Sequence, residues 1–200
     1  MSKAFDPNDK LNDAPAESSR PIIPPGRPRR RGLFLLCPHR LVETVWQIAP
    51  EELRQEGITG VILDLDNTLV EWNREEMTAE VEAWLSALKA ADILLCILSN
   101  SPLGNRSERI AARLNCSYVR NARKPSRRGF YRAMAVMNTT PATTAIVGDQ
   151  MFTDILGGNR AGIYTVMVKP IHKREFVSTQ IVNRPPEKLL LRYFKRQGKL

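Results

Sequence analysis

The sequence has no long hydrophobic run. Its longest apolar stretches are ILLCIL at 93–98 and LFLLC at 33–37, far below the ~20 residues that a membrane-spanning helix requires. Residues 1–31 carry four acidic side chains and no apolar segment of the kind that secretory signals contain. We therefore expect a cytoplasmic protein that does not cross a membrane, although peripheral contact with the inner face of one is compatible with its charge.

Cysteine and histidine are scarce as well. The three cysteines, Cys37, Cys96 and Cys116, are widely spaced and lie mostly among apolar neighbours. This pattern predicts reduced thiols that pack as small hydrophobic side chains, rather than a disulfide or a thiol nucleophile. The two histidines, His39 and His172, lie outside every motif described below, and we expect surface positions for both.

Acidic residues are too few at the two ends of the chain to balance the basic ones. The formal net charge is +9, yet residues 32–168 are nearly neutral, with 14 basic and 15 acidic side chains. Residues 1–31, with PIIPPGRPRRR, are predicted to be a mobile basic arm. Residues 32–178 are predicted to form one domain, and 179–200 a basic amphipathic tail. The tail either contacts an anionic surface or docks on its own domain.

Short apolar segments alternate with amphipathic ones along the domain. Five strands are predicted: GVILDLD (60–66), ADILLCILSN (91–100), CSYV (116–119), TTAIVGD (143–149) and IYTVMV (163–168). The segments between them have helical periodicity. This alternation predicts a doubly wound, Rossmann-like α/β fold, with a five-stranded parallel sheet and helices on both faces. In such sheets, ligands bind beyond the carboxyl ends of the strands.

Acidic residues follow two of the predicted strands at the point where each strand ends. Asp64 and Asp66 are two residues apart and therefore share a face of the first strand. Asp149 and Asp154 follow the fourth strand, after Gly148. Close carboxylates repel one another unless a cation compensates them. Because Mg²⁺ prefers oxygen ligands, the sequence predicts a magnesium site at this edge of the sheet.

Residues suited to binding a phosphate group follow the other strands. Ser99 and Asn100 end the second strand, just ahead of a predicted helix whose amide groups favour anions. Lys124 stands before a proline at the entrance of another predicted helix. A lysine there neutralises a phosphoryl oxygen and offsets the repulsion between the acids.

The four segments DLDNTLV, ILSNS, RKPSRRGF and VGDQMFTD resemble, in this order, the four motifs of the haloacid dehalogenase (HAD) superfamily of phosphohydrolases. The resemblance covers residues 60–168. It implies a Mg²⁺-dependent phosphatase in which Asp64 is the nucleophile that accepts the phosphoryl group. It further implies that Asp66 is the general acid, which protonates the leaving group and later activates water.

The same resemblance implies roles for the remaining motif residues. Ser99 and Lys124 are expected to bind the phosphoryl group. Asp149 is expected to bind Mg²⁺ beside Asp64 and the backbone carbonyl of Asp66, while Asp154 supports the metal site. Thr68 is expected to fix the geometry of the first loop.

The spacing of the motifs leaves no room for a cap domain. About 25 residues separate Thr68 from the second strand, and about 20 separate Ser101 from Lys124. The site is therefore expected to be open unless an oligomer closes it. An open site suits a phosphate carried by something large, such as a lipid head group, a protein side chain or a nucleic-acid end.

Within the superfamily, this short body, with DLDNTLV, GDQMFTD and LCPHRLVETVWQIAPEEL, resembles the YqeG-type group related to phosphatidylglycerophosphate phosphatases. The resemblance implies hydrolysis of phosphatidylglycerophosphate to phosphatidylglycerol. Basic tails are attracted to anionic leaflets. Shallow insertion is expected for four apolar side chains near the start of the domain: Leu33, Phe34, Leu36 and Trp46.

A stretch without acids surrounds the predicted phosphate-binding lysine, and it offers Arg123, Arg127 and Arg128 as head-group contacts. Two other functions stay open. One is a phosphatase for soluble metabolites or nucleic-acid ends, whose basic tails serve solubility or contact with polyanions. The other is a non-catalytic binding module on the same fold.

Overall fold

The computed structural model describes residues 30–72, 74–100, 105–171 and 184–200. The arm predicted for residues 1–31 lies outside this part of the chain apart from Arg30 and Arg31, and so does His172.

The described residues form six strands and six α-helices. The strands are β1 Arg40–Val42, β2 Gly60–Leu63, β3 Leu94–Leu98, β4 Ser117–Val119, β5 Thr144–Gly148 and β6 Tyr164–Val168. The helices are α1 Pro50–Gln55, α2 Ala79–Ala90, α3 Arg106–Arg113, α4 Arg127–Met137, α5 Leu156–Ala161 and α6 Arg184–Arg196. A π-helical turn, Met151–Ile155, precedes α5.

The strands form one parallel sheet in the order β1-β6-β5-β2-β3-β4. The predicted doubly wound α/β fold is confirmed, but the predicted count of five strands is wrong. The additional strand, β1, pairs with β6 from Arg40 opposite Val166 to Val42 opposite Val168. It has three partly exposed residues at the sheet edge, so its local sequence carries no buried apolar run of the kind that predicts the other strands.

Helices cover both faces of the sheet. The central strand β2 is buried along its whole length, as expected of a parallel strand between two helical layers. Its residues alternate between the faces: Leu63 joins the buried cluster that includes Leu85 of α2. Ile62 joins the opposite cluster, with Phe130 of α4 and Ala161 of α5.

The segment expected to insert into a membrane is partly built into the sheet. Leu33, Phe34 and Trp46 are exposed, whereas Cys37 and Ile48 are buried. Leu33 and Phe34 precede β1 in the chain, and Trp46 follows it. Membrane insertion of this segment stays a prediction.

The C-terminal helix α6 packs on the domain. Phe194 is fully buried, and its ring centroid lies 6.0 Å from that of Phe34. The carboxylate of Glu187, also buried, accepts a hydrogen bond from the backbone N–H of Met151 at 3.0 Å. The helix therefore contacts the π-helical turn that follows β5. None of the helices in the described residues has the length and apolarity needed to span a membrane.

We expect Phe194→Ala to lower the free energy of unfolding by about 3–5 kcal/mol, because a fully buried ring would leave a cavity. Leu189→Ala on the same helix is the matched control: its side chain is 66% exposed, so the expected change is within about 0.5 kcal/mol. Urea unfolding followed by circular dichroism measures both. Equal losses for the two variants would show that α6 does not pack as described.

Candidate active site

Polar residues gather at the carboxyl edge of the sheet, where β2 and β5 are neighbours. Asp64 directly follows β2, and its backbone N–H donates to the carbonyl of Val147 in β5 at 3.0 Å. Asp149 directly follows β5, and Ser99 follows β3. The connections run outward in both directions from β2 and β5. This is the point at which open α/β sheets bind ligands.

Three carboxylates form a compact cluster at this edge. Asp64, Asp149 and Asp154 each offer an oxygen, and these atoms all lie within 4.8 Å of one another. Asp149 and Asp154 are 0% exposed, whereas the side chain of Asp64 is 13% exposed. Of the three, Asp64 is therefore the carboxylate that a substrate can reach.

The ammonium group of Lys124 lies against two of these acids. Its Nζ is 2.5 Å from Oδ1 of Asp64 and 2.8 Å from Oδ1 of Asp154. Burial by itself lowers the pKa of Lys124, but the carboxylates of Asp154 and Asp64 outweigh burial and raise this pKa above its ordinary value. The lysine is therefore charged and held in the site.

One ammonium group does not balance three acids. Burial raises the pKa of Asp64 to about 7, although Lys124 opposes this rise, and the negative charges of Asp154 and Asp66 add to it. Buried carboxylates need a compensating positive charge. An all-oxygen donor set with excess negative charge is what a hard divalent cation requires, so the residues present fit Mg²⁺.

The backbone of Lys124 is fixed from β3. The amide Oδ1 of Asn100 accepts from the backbone N–H of Lys124 at 2.7 Å, and Nδ2 of Asn100 donates to the carbonyl of Lys124 at 3.2 Å. Asn100 thus holds the backbone of Lys124 in place. Phosphate binding by Asn100 and Ser99 stays a prediction. Ser126 caps α4 directly after this loop, its hydroxyl accepting from the N–H of Arg128 at 3.4 Å.

The two fully buried acids have partners of their own. The hydroxyl of Thr68 donates to Oδ1 of Asp149 at 3.4 Å. This hydrogen bond connects the first loop, which contains Thr68, to the cluster. Oδ2 of Asp154 accepts from the backbone N–H of Gln150 at 3.1 Å. A Cβ atom at Gly148 would stand 2.5 Å from Cγ of Asp154. Only glycine therefore lets Asp154 approach the end of β5.

Asp66 lies apart from the cluster of three acids. The strand ends at Leu63, so Asp66 belongs to a turn, in which Asn67 has φ +60. Its Oδ1 accepts from Nη1 of Arg106 at 2.8 Å. Arg106 lies outside the motifs that predict the site. The sequence offers one indication of a shared role for Arg106. It lies three and seven residues before Arg109 and Arg113, a spacing that puts all three on one face of α3.

The arginines predicted to contact a head group lie at the surface. Arg123 is exposed in the loop before Lys124, and Arg127 and Arg128 are exposed in the first turn of α4. The structure thus brings positive charge to the side of the site that Lys124 enters. Head-group binding by these residues stays a prediction.

The sequence of this chain is similar to those of known proteins. The family of haloacid dehalogenase-like hydrolases matches residues 39–162. The probable phosphatase YqeG of Bacillus subtilis (strain 168) is 35% identical over 161 residues, which are 80% of this chain and 92% of that protein. The chain therefore belongs to the haloacid dehalogenase superfamily and is one of its phosphatases. The predicted membership is confirmed.

More distant similarities include a plant protein and a solved bacterial structure. Phosphatidylglycerophosphate phosphatase 1, chloroplastic/mitochondrial, of Arabidopsis thaliana is 28% identical over 175 residues, which are 82% of this chain. The chain spans about half of that protein, 49% of its length. A solved structure, the cobalt-bound deoxy-D-mannose-octulosonate 8-phosphate phosphatase of Haemophilus influenzae, is similar over 68% of this chain and 89% of that one, with a TM-score of 0.45 and 20% identity.

We expect Lys124→Met to lower the free energy of unfolding by about 3–5 kcal/mol in EDTA, because it leaves buried carboxylates without their ion partner. Lys169→Met is the control. Lys169 pairs with Glu43 at the surface, where both side chains are 61% exposed, and such pairs contribute about 1 kcal/mol or less. Urea unfolding near neutral pH measures the difference. A loss at position 124 no larger than that at 169 would contradict the description of the site.

Proposed function

We propose that this phosphatase is a Mg²⁺-dependent phosphomonoester hydrolase that acts through an aspartyl-phosphate, and that its substrate is phosphatidylglycerophosphate. The observation that carries the hydrolase assignment is the position of Lys124 between Asp64 and Asp154, at the edge where Asp149 completes the acid cluster. A partly exposed carboxylate beside a buried ammonium group can receive a phosphoryl group while its charge is balanced.

Asp64, Asp149 and Asp154 would hold Mg²⁺, together with the backbone carbonyl of Asp66. Bound there, the ion offsets the negative charge of the acids and polarises the phosphoryl oxygens. Lys124 contributes a fixed positive charge beside Asp64, and Asn100 keeps its backbone in place. Ser99 would donate a hydrogen bond to the phosphoryl group.

The chemistry proceeds in two steps. In the first, a carboxylate oxygen of Asp64 attacks phosphorus in line, the bond from phosphorus to the leaving oxygen breaks, and that oxygen takes a proton from Asp66. In the second, Asp66 removes a proton from water, the water oxygen attacks phosphorus, and the bond to Asp64 breaks to release inorganic phosphate. The covalent intermediate divides one difficult displacement into two easier ones.

The site admits a large substrate. In the described residues, α2 is the one helix between β2 and β3, and α3 with β4 fill the stretch from β3 to Lys124. These segments leave the catalytic edge without a covering domain. The phosphate group can therefore be presented from a surface as large as a bilayer.

Three observations support a lipid as the carrier of that phosphate. The first is the similarity to the Arabidopsis phosphatidylglycerophosphate phosphatase. The second is the group of exposed arginines before and within the first turn of α4, which suits an anionic leaflet. The third is the presence of two exposed apolar side chains. Trp72, in the segment that follows Asp66 in the chain, is 44% exposed. Ile171, whose N–H donates to the carbonyl of Asn67, is 40% exposed. Peripheral membrane contact follows from this proposal.

With Mg²⁺ present, we expect the protein to release phosphate from vesicles of phosphatidylglycerophosphate faster than from soluble monoesters or a 5′-phosphorylated oligonucleotide. Asp64→Asn should lower this rate by at least about 10³-fold, because it removes the nucleophile. Asp92→Asn, at a side chain that is 91% exposed, should leave the rate unchanged. Malachite-green detection of phosphate measures all three proteins.

Two other outcomes, one from that assay and one from a separate binding measurement, would replace the lipid proposal. Rapid release from soluble esters with none from vesicles would identify a phosphatase for metabolites or nucleic-acid ends. Stoichiometric trapping of BeF₃⁻ without turnover of any phosphate ester would identify a binding module.

We also expect Mg²⁺ to stabilise the EDTA-treated protein, by about 2.7 kcal/mol at a hundred times its dissociation constant. Asp149→Asn should abolish this stabilisation, because it removes one of the clustered oxygen ligands, and Asp92→Asn should retain it. Thermal unfolding with and without Mg²⁺ measures the effect. The same Mg²⁺-dependent rise in Tm for Asp149→Asn and the unmodified protein would exclude Asp149 as a ligand.

A further inference from the structure

Arg106, the first residue of α3, connects Asp66 to the segment that follows β2. Its Nη1 donates to Oδ1 of Asp66 at 2.8 Å, and its Nε donates to the carbonyl of Arg74 at 2.9 Å. Nη2 donates to the same carbonyl. The side chains of Arg106 and Asp66 are 19% and 31% exposed, so this ion pair is partly screened from solvent.

Two further arginines on the same face of α3 secure the next residue of that segment. Arg109 forms an ion pair with the carboxylate of Glu75, and Nη2 of Arg113 donates to the carbonyl of Glu75 at 2.6 Å. The side chains of α3 thus bind the segment between β2 and α2 at two successive residues, Arg74 and Glu75. Of these three arginines, Arg106 is the one that contacts Asp66 in the active site.

Arg106 holds one oxygen, Oδ1, of the Asp66 carboxyl group. A guanidinium group is planar and carries its donors in a rigid fork. Here one side of the fork binds the carbonyl of Arg74, which restricts the movement of the nitrogen that meets Asp66. Because Oδ1 accepts the hydrogen bond from Arg106, the proton that Asp66 transfers is carried by its other carboxyl oxygen, Oδ2.

We propose that Arg106 is a positioning residue, which holds Asp66 in place for proton transfer to the leaving group. This inference rests on the proposed function, in which Asp66 is the general acid. It assigns to Arg106 a part in one step: the bond from phosphorus to the leaving oxygen breaks, the electron pair stays on that oxygen, and the proton of Asp66 forms the new O–H bond. A displacement of a catalytic group by about 1 Å can cost about 10²-fold in rate.

The leaving group distinguishes this role from a structural one. An alkoxide, as in a glycerol phosphate, needs a proton as it departs, whereas p-nitrophenolate is stable enough to leave without one. Loss of a residue that positions the general acid therefore slows hydrolysis of alkyl phosphates selectively. Loss of a residue that merely supports the fold slows hydrolysis of both kinds of ester alike.

The test compares kcat/KM for a short-chain phosphatidylglycerophosphate and for p-nitrophenyl phosphate, since kcat/KM reports the steps through phosphoryl transfer. For Arg106→Gln we expect a loss of about 10²-fold with the alkyl ester and less than about threefold with the aryl ester. Asp66→Asn should show the same selectivity. The double variant should be no slower than Asp66→Asn, because the two residues act in one step.

Two variants serve as controls. Arg109 lies one turn further along the same helix face and contacts Glu75 rather than Asp66. Both rates of Arg109→Gln should therefore stay near those of the unmodified protein. Arg106→Lys keeps the charge but loses the two-sided contact, and should recover part of the activity on the alkyl ester. Thermal unfolding of each variant reports any loss of the fold.

Equal losses on the two esters, or additive effects in the double variant, would overturn the role of Arg106 and leave the proposed phosphatase activity intact. An unmodified protein that turns over neither ester would overturn the proposed function, and this assignment with it.

Discussion

The active site depends on the buried contact of one ammonium group with two carboxylates. Lys124 comes from the loop before α4, Asp64 from the end of β2, and Asp154 from the π-helical turn after β5. An uncompensated charge in any of these places is costly away from water. The three segments are therefore held together by their charges at the edge where the strands end, and Asp149 lies in the same cluster.

Residues outside the acid cluster support this arrangement. Asn100 binds both backbone groups of Lys124, and Gly148 leaves the space that Asp154 occupies. Glu187 of the C-terminal helix accepts from the N–H of Met151, the first residue of the turn that carries Asp154. A helix remote in sequence is thus connected to the site through a buried hydrogen bond.

The site has two sides with different supports. On one side, Lys124 and the acid cluster are buried and fixed from the sheet, which suits the binding of a metal ion and a phosphoryl group. On the other side, Asp66 lies in a turn and accepts a hydrogen bond from Arg106 of α3. That side is partly exposed, in keeping with the proton transfer that we propose for Asp66.

The sequence by itself determined the alternation of strands and helices and placed Asp64, Asp149 and Asp154 at strand ends, because apolar strands that end in acids are patterns of consecutive residues. It did not predict β1, whose pairing with β6 joins residues far apart in the chain. Nor did it show that Asp66 leaves the cluster for Arg106, or that Asn100 holds Lys124. Only the tertiary structure decided these contacts, since they depend on which elements become neighbours when the sheet and its helices pack.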